Sequence, residues 1–288
     1  MRKLLTTDAR RDRSWGHRAF TLLDLIVALA VLAILAATFA PALAKSGGKA
    51  ARINCFNNKR HIAAACAMYS AEFNDWLVPN GVGNGTDPFT GAVVGWCIGQ
   101  EDWGTSQYNT NVAAYKAGLL GPYVNNINVY KCPNDKIPSD NGDRIRSISM
   151  NGAICGDLPA SSRAQLQSII SPYRLYSKTA DLSVPGPANT WIFCDESMYS
   201  LNDGYLEMKL NSPRYADIPA AYDIGGNCFS FADAHVEYRK WVWPGVTGAG
   251  LRNCPYAYGV TFISSGQWQS AGTDMDWVWL RAHSSALQ

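Results

Sequence analysis

The chain has few of the residue patterns on which common catalytic and metal-binding motifs are built. It contains only four histidines, and none of its eight cysteines forms a CxxC pair. Structural zinc sites usually take Cys and His at such close spacings, so the sequence predicts no site of that kind. It also has no nucleophile elbow, phosphate-binding loop or metalloprotease helix. We therefore expect a protein that is not an enzyme and needs no cofactor.

Basic residues are scarce beyond the N-terminus, and no basic patch interleaved with aromatic side chains follows it. The first 19 residues contain six of them: Arg2, Lys3, Arg10, Arg11, Arg13 and Arg18. Residues 20–288 carry more acidic than basic side chains, so the net charge of +2 does not indicate binding to nucleic acid.

Charge is absent from Leu25 to Ala44, a run of 20 residues. A helix needs about 20 apolar residues to cross a bilayer. The sequence therefore predicts a single membrane-spanning helix with a cytoplasmic N-terminus and an outward-facing C-terminal domain, placed in the inner membrane. Asp24 at the start of this run would be costly in lipid unless a cation neutralised it.

Residues 18–26, Arg-Ala-Phe-Thr-Leu-Leu-Asp-Leu-Ile, resemble the processing site of type IV prepilins and type II secretion pseudopilins. The resemblance implies that a prepilin peptidase cuts between Ala19 and Phe20 and methylates the new Phe20 amine. It also implies that Asp24 pairs with the N-terminal amine of a neighbouring subunit and that Pro41 is the proline of the assembly helix. Ala19 replaces the usual Gly, and Asp24 replaces the usual Glu.

This resemblance implies a structural subunit of a secretion or pilus-like fibre. Its partners would be like or related pseudopilin subunits, the prepilin peptidase, an inner-membrane assembly platform and the lipid bilayer. Two other interpretations of the N-terminus remain open. One is a plain membrane anchor with Asp24 at the interface, and the other is a signal peptide cleaved after the small residues Ala42-Leu43-Ala44.

Several later segments resemble a large family of pseudopilin-like proteins whose outer domain has a His-x9-Asp-Gly signature. In this chain Asp223 stands where that His is expected, and Ala234 stands where the Gly is expected. The segments that carry the resemblance are Cys55–Lys59 with Tyr69, Tyr130–Asp135, Ser149–Gly152, Asn202–Gly204 and Phe231–Glu237.

We expect an α+β, pilin-like fold in which a long N-terminal helix packs on an antiparallel sheet with extended loops. The expected divisions are a cleaved leader (1–19), a membrane or fibre-core helix (20–44), the outer half of the spine helix (45–75) and an outer domain (76–288). Lys45 to Lys49, with two glycines, should loosen the helix between its halves.

Local patterns place several elements in the outer domain. A helical stripe in residues 50–73 should face a sheet, and a small helix is expected near residues 112–118. Residues 190–194, 228–232 and 236–239 read as strands, the last two joined by a turn at Asp233-Ala234. The stripe consists of Cys55, Ile62, Cys66, Tyr69 and Phe73.

Some acidic residues lie where strands end or chains turn, and paired carboxylates can act as general acid and base in glycoside cleavage. Such residues more often cap backbone amides, so we expect no catalysis. The residues concerned are Asp195, Glu196, Asp203 and Asp233, the last with His235 nearby. Asp274 and Asp276 are weak candidates for calcium ligands, although two acids do not supply six to eight oxygens.

Tryptophans crowd the C-terminal third, and Trp277 and Trp279 would share one face of a strand. If exposed they could stack on sugars, so the alternative function is a membrane-anchored or secreted glycan-binding protein. The eight cysteines permit disulfides in an exported domain or buried free thiols. Cys55 and Cys66 are about 16 Å apart along a helix and cannot bridge each other.

Overall fold

The computed structural model describes residues 21–81, 85–86, 91–244, 250–254, 268–269 and 273–288. The chain divides into two compact units, residues 1–46 and 47–288. The α-helices are α1 (Leu22–Glu72), α2 (Val112–Ala117), α3 (Ala160–Ile170) and α4 (Met275–Ser284). The strands are β1 (Ile148–Asn151), β2 (Trp191–Asp195), β3 (Tyr205–Leu206), β4 (Met208–Lys209), β5 (Arg214–Tyr215), β6 (Gly226–Phe231), β7 (Val236–Lys240) and β8 (Trp268–Gln269).

Helix α1 is continuous over 51 residues, so the glycines at 47 and 48 do not interrupt it. Within the described part of the chain, no helix combines the length and apolarity needed to cross a membrane. The predictions of a membrane-spanning helix, a single-pass topology and an inner-membrane location are therefore wrong.

The main sheet has five strands in the order β3-β1-β2-β6-β7. Its pairs are antiparallel except for β1 with β3, which run parallel. A second sheet has the order β4-β5-β8. The expected fold, a membrane helix on an antiparallel sheet, is corrected to a mixed α/β arrangement, because the short strand β3 returns alongside β1 in the same direction.

Strands β6 and β7 form a hairpin whose register runs from Gly226 with Lys240 to Ser230 with Val236. The expected turn lies between them, and Ala234 adopts a φ of 69°. An L-residue pays a steric cost in this left-handed region, which Gly would not. The predictions of β2, β6, β7 and the small helix α2 are confirmed.

The core of the second unit joins the main sheet to one side of α1. Cys55, Ile62, Cys66 and Tyr69 are buried as the helical pattern predicts, whereas Phe73 is 42% exposed. Large aromatic side chains fill the space around the sheet, and the fully buried ones include Trp96, Trp191, Trp241, Tyr130 and Phe193. The same side of α1 also buries Lys59, which the pattern did not predict.

Candidate functional site: an apolar helix surface and a buried thiol–carboxylate cluster

Residues 22–38 of α1 present an apolar helix surface. Each of its large aliphatic side chains is between 45% and 74% exposed. Successive residues of a helix are about 100° apart, so these positions cover the whole circumference. They are Leu22, Leu23, Leu25, Ile26, Val27, Leu29, Val31, Leu32, Ile34 and Leu35. A helix that is apolar all round is normally buried, so this surface fits contact with other apolar groups.

Asp24 closes the first turn of this helix. Its Oδ2 accepts hydrogen bonds from the backbone N of Thr21 at 3.0 Å and from Thr21 Oγ1 at 2.7 Å. The backbone N of Asp24 donates in return to Thr21 Oγ1 at 3.2 Å. The reciprocal pattern is that of a capping box, and the bonds from Thr21 lower the pKa of Asp24. Asp24 therefore has a local role in starting the helix, which the sequence analysis did not foresee.

The other processing and assembly residues lie wholly or partly outside the described part of the chain. Ala19 and Phe20 lie outside the described residues. Pro41 lies within α1, but its side chain is likewise outside the described part. The roles that the resemblance gives to Ala19, Phe20 and Pro41 stay predictions.

A thiol–carboxylate cluster forms where four distant segments meet in the second unit. One possible ligand atom from each of Cys55, Cys132, Asp195 and Asp223 lies within 4.8 Å of the other three, and all four residues are buried. Helix α1 supplies Cys55, and the segment after the short helix Ile127–Tyr130 supplies Cys132. Asp195 ends β2, and Asp223 precedes β6.

Asp195 is held from several sides. Its Oδ1 lies 2.8 Å from Lys59 Nζ and accepts a hydrogen bond from Ser147 Oγ at 2.9 Å. Its Oδ2 accepts a weak bond from Cys55 Sγ at 3.4 Å. Its backbone N donates to Asn227 Oδ1 at 3.0 Å. One carboxylate oxygen is thus fixed by a cation and a hydroxyl, while the other faces a thiol.

Asp223 repeats this arrangement on the other side of the cluster. Its Oδ1 accepts a hydrogen bond from Asn134 Nδ2, and its Oδ2 accepts one from Cys228 Sγ at 3.1 Å. Cys228 packs with Cys55 and Cys132 in one small buried group. A third thiol therefore borders the four possible ligands.

Burial and mutual contact shift the acidity of the cluster. Burial raises the pKa of Asp195 well above its usual range and that of Asp223 to about 6. Hydrogen bonds from Cys132 and Cys228 hold the pKa of Cys55 well below the usual thiol value. Burial opposes the charge of Lys59, but Asp195 and the nearby thiols outweigh it and raise its pKa. These contacts stabilise the ammonium form of Lys59.

Sequence reasoning did not find this cluster because its residues are separated by up to 168 positions, from Cys55 to Asp223. Zinc motifs are recognised by close spacing, and none exists here. A usable signal was nevertheless present, since Cys55 and Cys132 each belong to a segment of the outer-domain resemblance and Asp223 stands at the position expected for the signature His. Nothing in the local sequence marks Lys59 as buried.

A second buried polar network lies beside the main sheet, around Arg146. Its guanidinium donates to the carbonyls of Ile148 at 2.9 Å and Asn202 at 2.6 Å. Glu101 Oε1 accepts bonds from Tyr115 Oη at 2.5 Å and from the backbone N of Arg146 at 3.1 Å. The donors are matched to acceptors that tie loops to β1, so this network is structural.

The carboxylates weighed as acid and base each have hydrogen-bond or ion-pair partners of their own. Asp195 is bound to Lys59, whereas its neighbour Glu196 accepts a bond from Ser149 Oγ. Asp203 and Asp233 accept bonds from backbone N atoms two residues onward, at Tyr205 and His235. These contacts agree with the expected use of such residues in turns.

Asp274 and Asp276, the weak calcium candidates, lie at the start of helix α4. Asp274 caps α4 by accepting from the backbone N of Asp276 and of Trp277, and it also accepts from Tyr215 Oη. Asp276 Oδ2 accepts from the backbone N atoms of residues 242 and 243. Neither carboxylate is directed to a shared open site by these contacts, and calcium binding by Asp274 and Asp276 stays an unsupported prediction.

Trp277 and Trp279 lie on helix α4, not on a strand as expected. Trp277 is only 3% exposed. Trp279 is partly buried and stacks on His283 with ring centroids 4.3 Å apart. Rings so enclosed offer little face to a sugar, so the glycan-binding alternative has no support from these two residues.

Comparison with protein-family models, with curated proteins and with solved structures finds no match to this chain. The resemblance to pseudopilin-like proteins therefore depends on the quoted segments alone.

Proposed function

We propose that this chain is a structural subunit that assembles with copies of itself, or with like subunits, through the apolar helix surface of α1. The observation that carries the proposal is the exposure, by 45–74%, of every large aliphatic side chain in residues 22–35. Exposed apolar area of this extent costs free energy in water, at about 25 cal/mol per Å². Contact between several such helices removes that cost.

The resemblance to pilin-like proteins supports a fibre as the form of assembly. Identical helices that pack with a stagger make head-to-tail contacts, and such contacts extend into a filament when the rotation does not close. In this proposal Asp24 has two roles. It caps its own helix through Thr21, and its remaining charge pairs with the N-terminal amine of a neighbour after cleavage between Ala19 and Phe20.

The assembly is tested by sedimentation and electron microscopy of the full chain and of Leu29→Asp. We expect the unaltered chain to form large assemblies and Leu29→Asp to remain small, because a charge in a helix-packing surface is not solvated. Leu287→Asp is the matched control, since Leu287 is 60% exposed and Leu29 is 56% exposed. A chain that stays monomeric without substitution, or two variants that behave alike, would contradict the proposal.

Comparing Asp24→Asn with Thr21→Val distinguishes the pairing of Asp24 with a neighbouring subunit from its role in capping its own helix. If Asp24 only caps, both variants should weaken assembly equally. Pairing with a neighbour predicts that Asp24→Asn abolishes assembly while Thr21→Val, which keeps the carboxylate, retains it. Intact-mass measurement of the assembled chain shows whether it begins at Phe20.

A further inference from the structure

We propose that Cys55, Cys132, Asp195 and Asp223 bind one thiophilic divalent metal ion of the zinc class. This inference goes beyond the assembly proposed above and depends on none of it, because every ligand lies in the second unit. The metal would link helix α1 to the end of β2 and to the turn that precedes β6.

The distances suit a tetrahedral ion. Zinc binds thiolate at about 2.3 Å and carboxylate oxygen at about 2.0–2.2 Å, which places neighbouring ligand atoms about 3.3–3.8 Å apart. Cys55 Sγ and Asp195 Oδ2 are 3.4 Å apart, and no pair of the four ligand atoms exceeds 4.8 Å. Small side-chain adjustments therefore bring all four to one centre.

The surroundings orient each carboxylate as an outer ligand shell does. Asp195 Oδ1 is held by Lys59 and Ser147, which leaves Oδ2 facing Cys55. Asp223 Oδ1 is held by Asn134, which leaves Oδ2 on the side of the thiols. Partners of this kind fix the direction of metal ligands and are a regular part of metal sites.

Charge balance favours a cation in the cluster. Two thiolates and two carboxylates carry four negative charges, which burial opposes strongly. A divalent ion and the ammonium of Lys59 supply three positive charges, so most of this cost is removed. Because cysteine binds a metal as the thiolate, metal binding should release protons.

The chemical types of the four ligands determine which ion they would bind, and one of the ligands lies beside a polar groove. Thiolates are soft ligands and exclude magnesium and calcium, which require oxygen ligands in larger number. A polar groove of about 560 Å³ is lined by Cys132 together with asparagine and lysine side chains, among them Asn58 and Lys131. Cys132 is the proposed ligand that borders this groove.

The experiment measures zinc and cobalt in the full chain. Elemental analysis of chain purified without chelator should give about one zinc per chain, the occupancy of a single closed site. Cobalt added to chelator-treated chain should produce a thiolate-to-metal absorption band, with release of protons. Zinc should raise the melting temperature of chelator-treated chain, since a ligand that binds only the folded state stabilises it.

Cys55→Ser and Asp223→Asn should each lower the zinc content at least tenfold. Cys66→Ser is the matched control, because Cys66 is also a buried thiol on α1 but lies outside the cluster. If a ligand variant does not fold, titration of the unaltered chain with cobalt remains decisive. The proposal is overturned if chelator-treated, reduced chain shows no cobalt band and no shift in melting temperature. It is also overturned if Cys55 and Cys132 are recovered as a disulfide that zinc and reductant do not displace.

Discussion

The N-terminal part of α1 and the body of the second unit reverse the usual distribution of side chains. Residues 22–35 expose aliphatic groups on every side, whereas the body buries Lys59, Arg146 and Glu101 at 2% exposure or less. Each case requires a compensating partner. The buried charges have theirs within the same unit, and the exposed aliphatic groups have none among the described residues of this single chain.

This contrast shows where cooperation between chains is needed. A buried ion that is paired and hydrogen-bonded adds definition to one fold, because each alternative arrangement would leave it unpaired. An exposed apolar helix adds nothing to the fold of its own chain. Its stabilisation comes only on contact with other molecules.

The largest effect is expected where the buried charge network is broken. Arg146→Met should lower the free energy of unfolding by about 3–5 kcal/mol, because it leaves the Glu101 carboxylate and two carbonyls without their cation. Urea denaturation of the full chain measures this. Arg163→Met is the control, since Arg163 is exposed and should change stability by less than about 0.5 kcal/mol. Equal losses of stability in the two variants would show that the buried Arg146 contributes no more than the exposed Arg163.

A smaller effect should appear as a dependence on pH. Burial raises the pKa of Glu101 above the usual glutamate value of 4.5. The folded state then holds a proton that the unfolded state loses, so this contribution to stability is complete below pH 4.5 and declines as pH rises through the folded-state pKa. Glu101→Gln accepts the same bonds from Tyr115 and Arg146 but cannot ionise.

The measurement is the difference in unfolding free energy between the unaltered chain and Glu101→Gln across pH 4 to 8. We expect the unaltered chain to lose stability relative to the variant as pH increases. A difference that is constant over this range would show that Arg146 fully offsets the burial of the carboxylate.

The smallest effect is expected at a turn where neither burial nor charge decides the outcome. Ala234 has a φ of 69°, and Ala234→Gly should raise the free energy of unfolding by about 1 kcal/mol by removing the steric cost. Thermal and urea denaturation would detect this change. Ala232→Gly is a suitable control, because Ala232 has an ordinary backbone conformation and the substitution there should destabilise. Destabilisation at both positions would refute the strain argument.

Sequence patterns predicted local structure better than they predicted sites. Alternation of apolar and charged residues identified β7, since a strand repeats every two residues, whereas β-branched and aromatic residues identified β2. The same reasoning failed at Trp277 and Trp279, where a spacing of two was read as a strand. Asp274 caps a helix there, and its bonds to the backbone N atoms of residues 276 and 277 establish α4 instead.

The membrane prediction failed for a related reason. A count of uncharged residues from 25 to 44 considers charge alone, whereas no helix in the described part of the chain combines the length and the apolarity needed to cross a membrane. The sequence alone could also not show that Asp24 accepts hydrogen bonds from Thr21, because those bonds depend on where the helix begins.

The sequence by itself determined the helix, the hairpin and the position of the apolar run, because these follow from the order of neighbouring side chains along a regular backbone. Only the tertiary structure decided that Cys55, Cys132, Asp195 and Asp223 share one buried centre with Lys59 beside it. That convergence results from packing four segments far apart in the chain, and no local spacing encodes distances of a few ångströms between them.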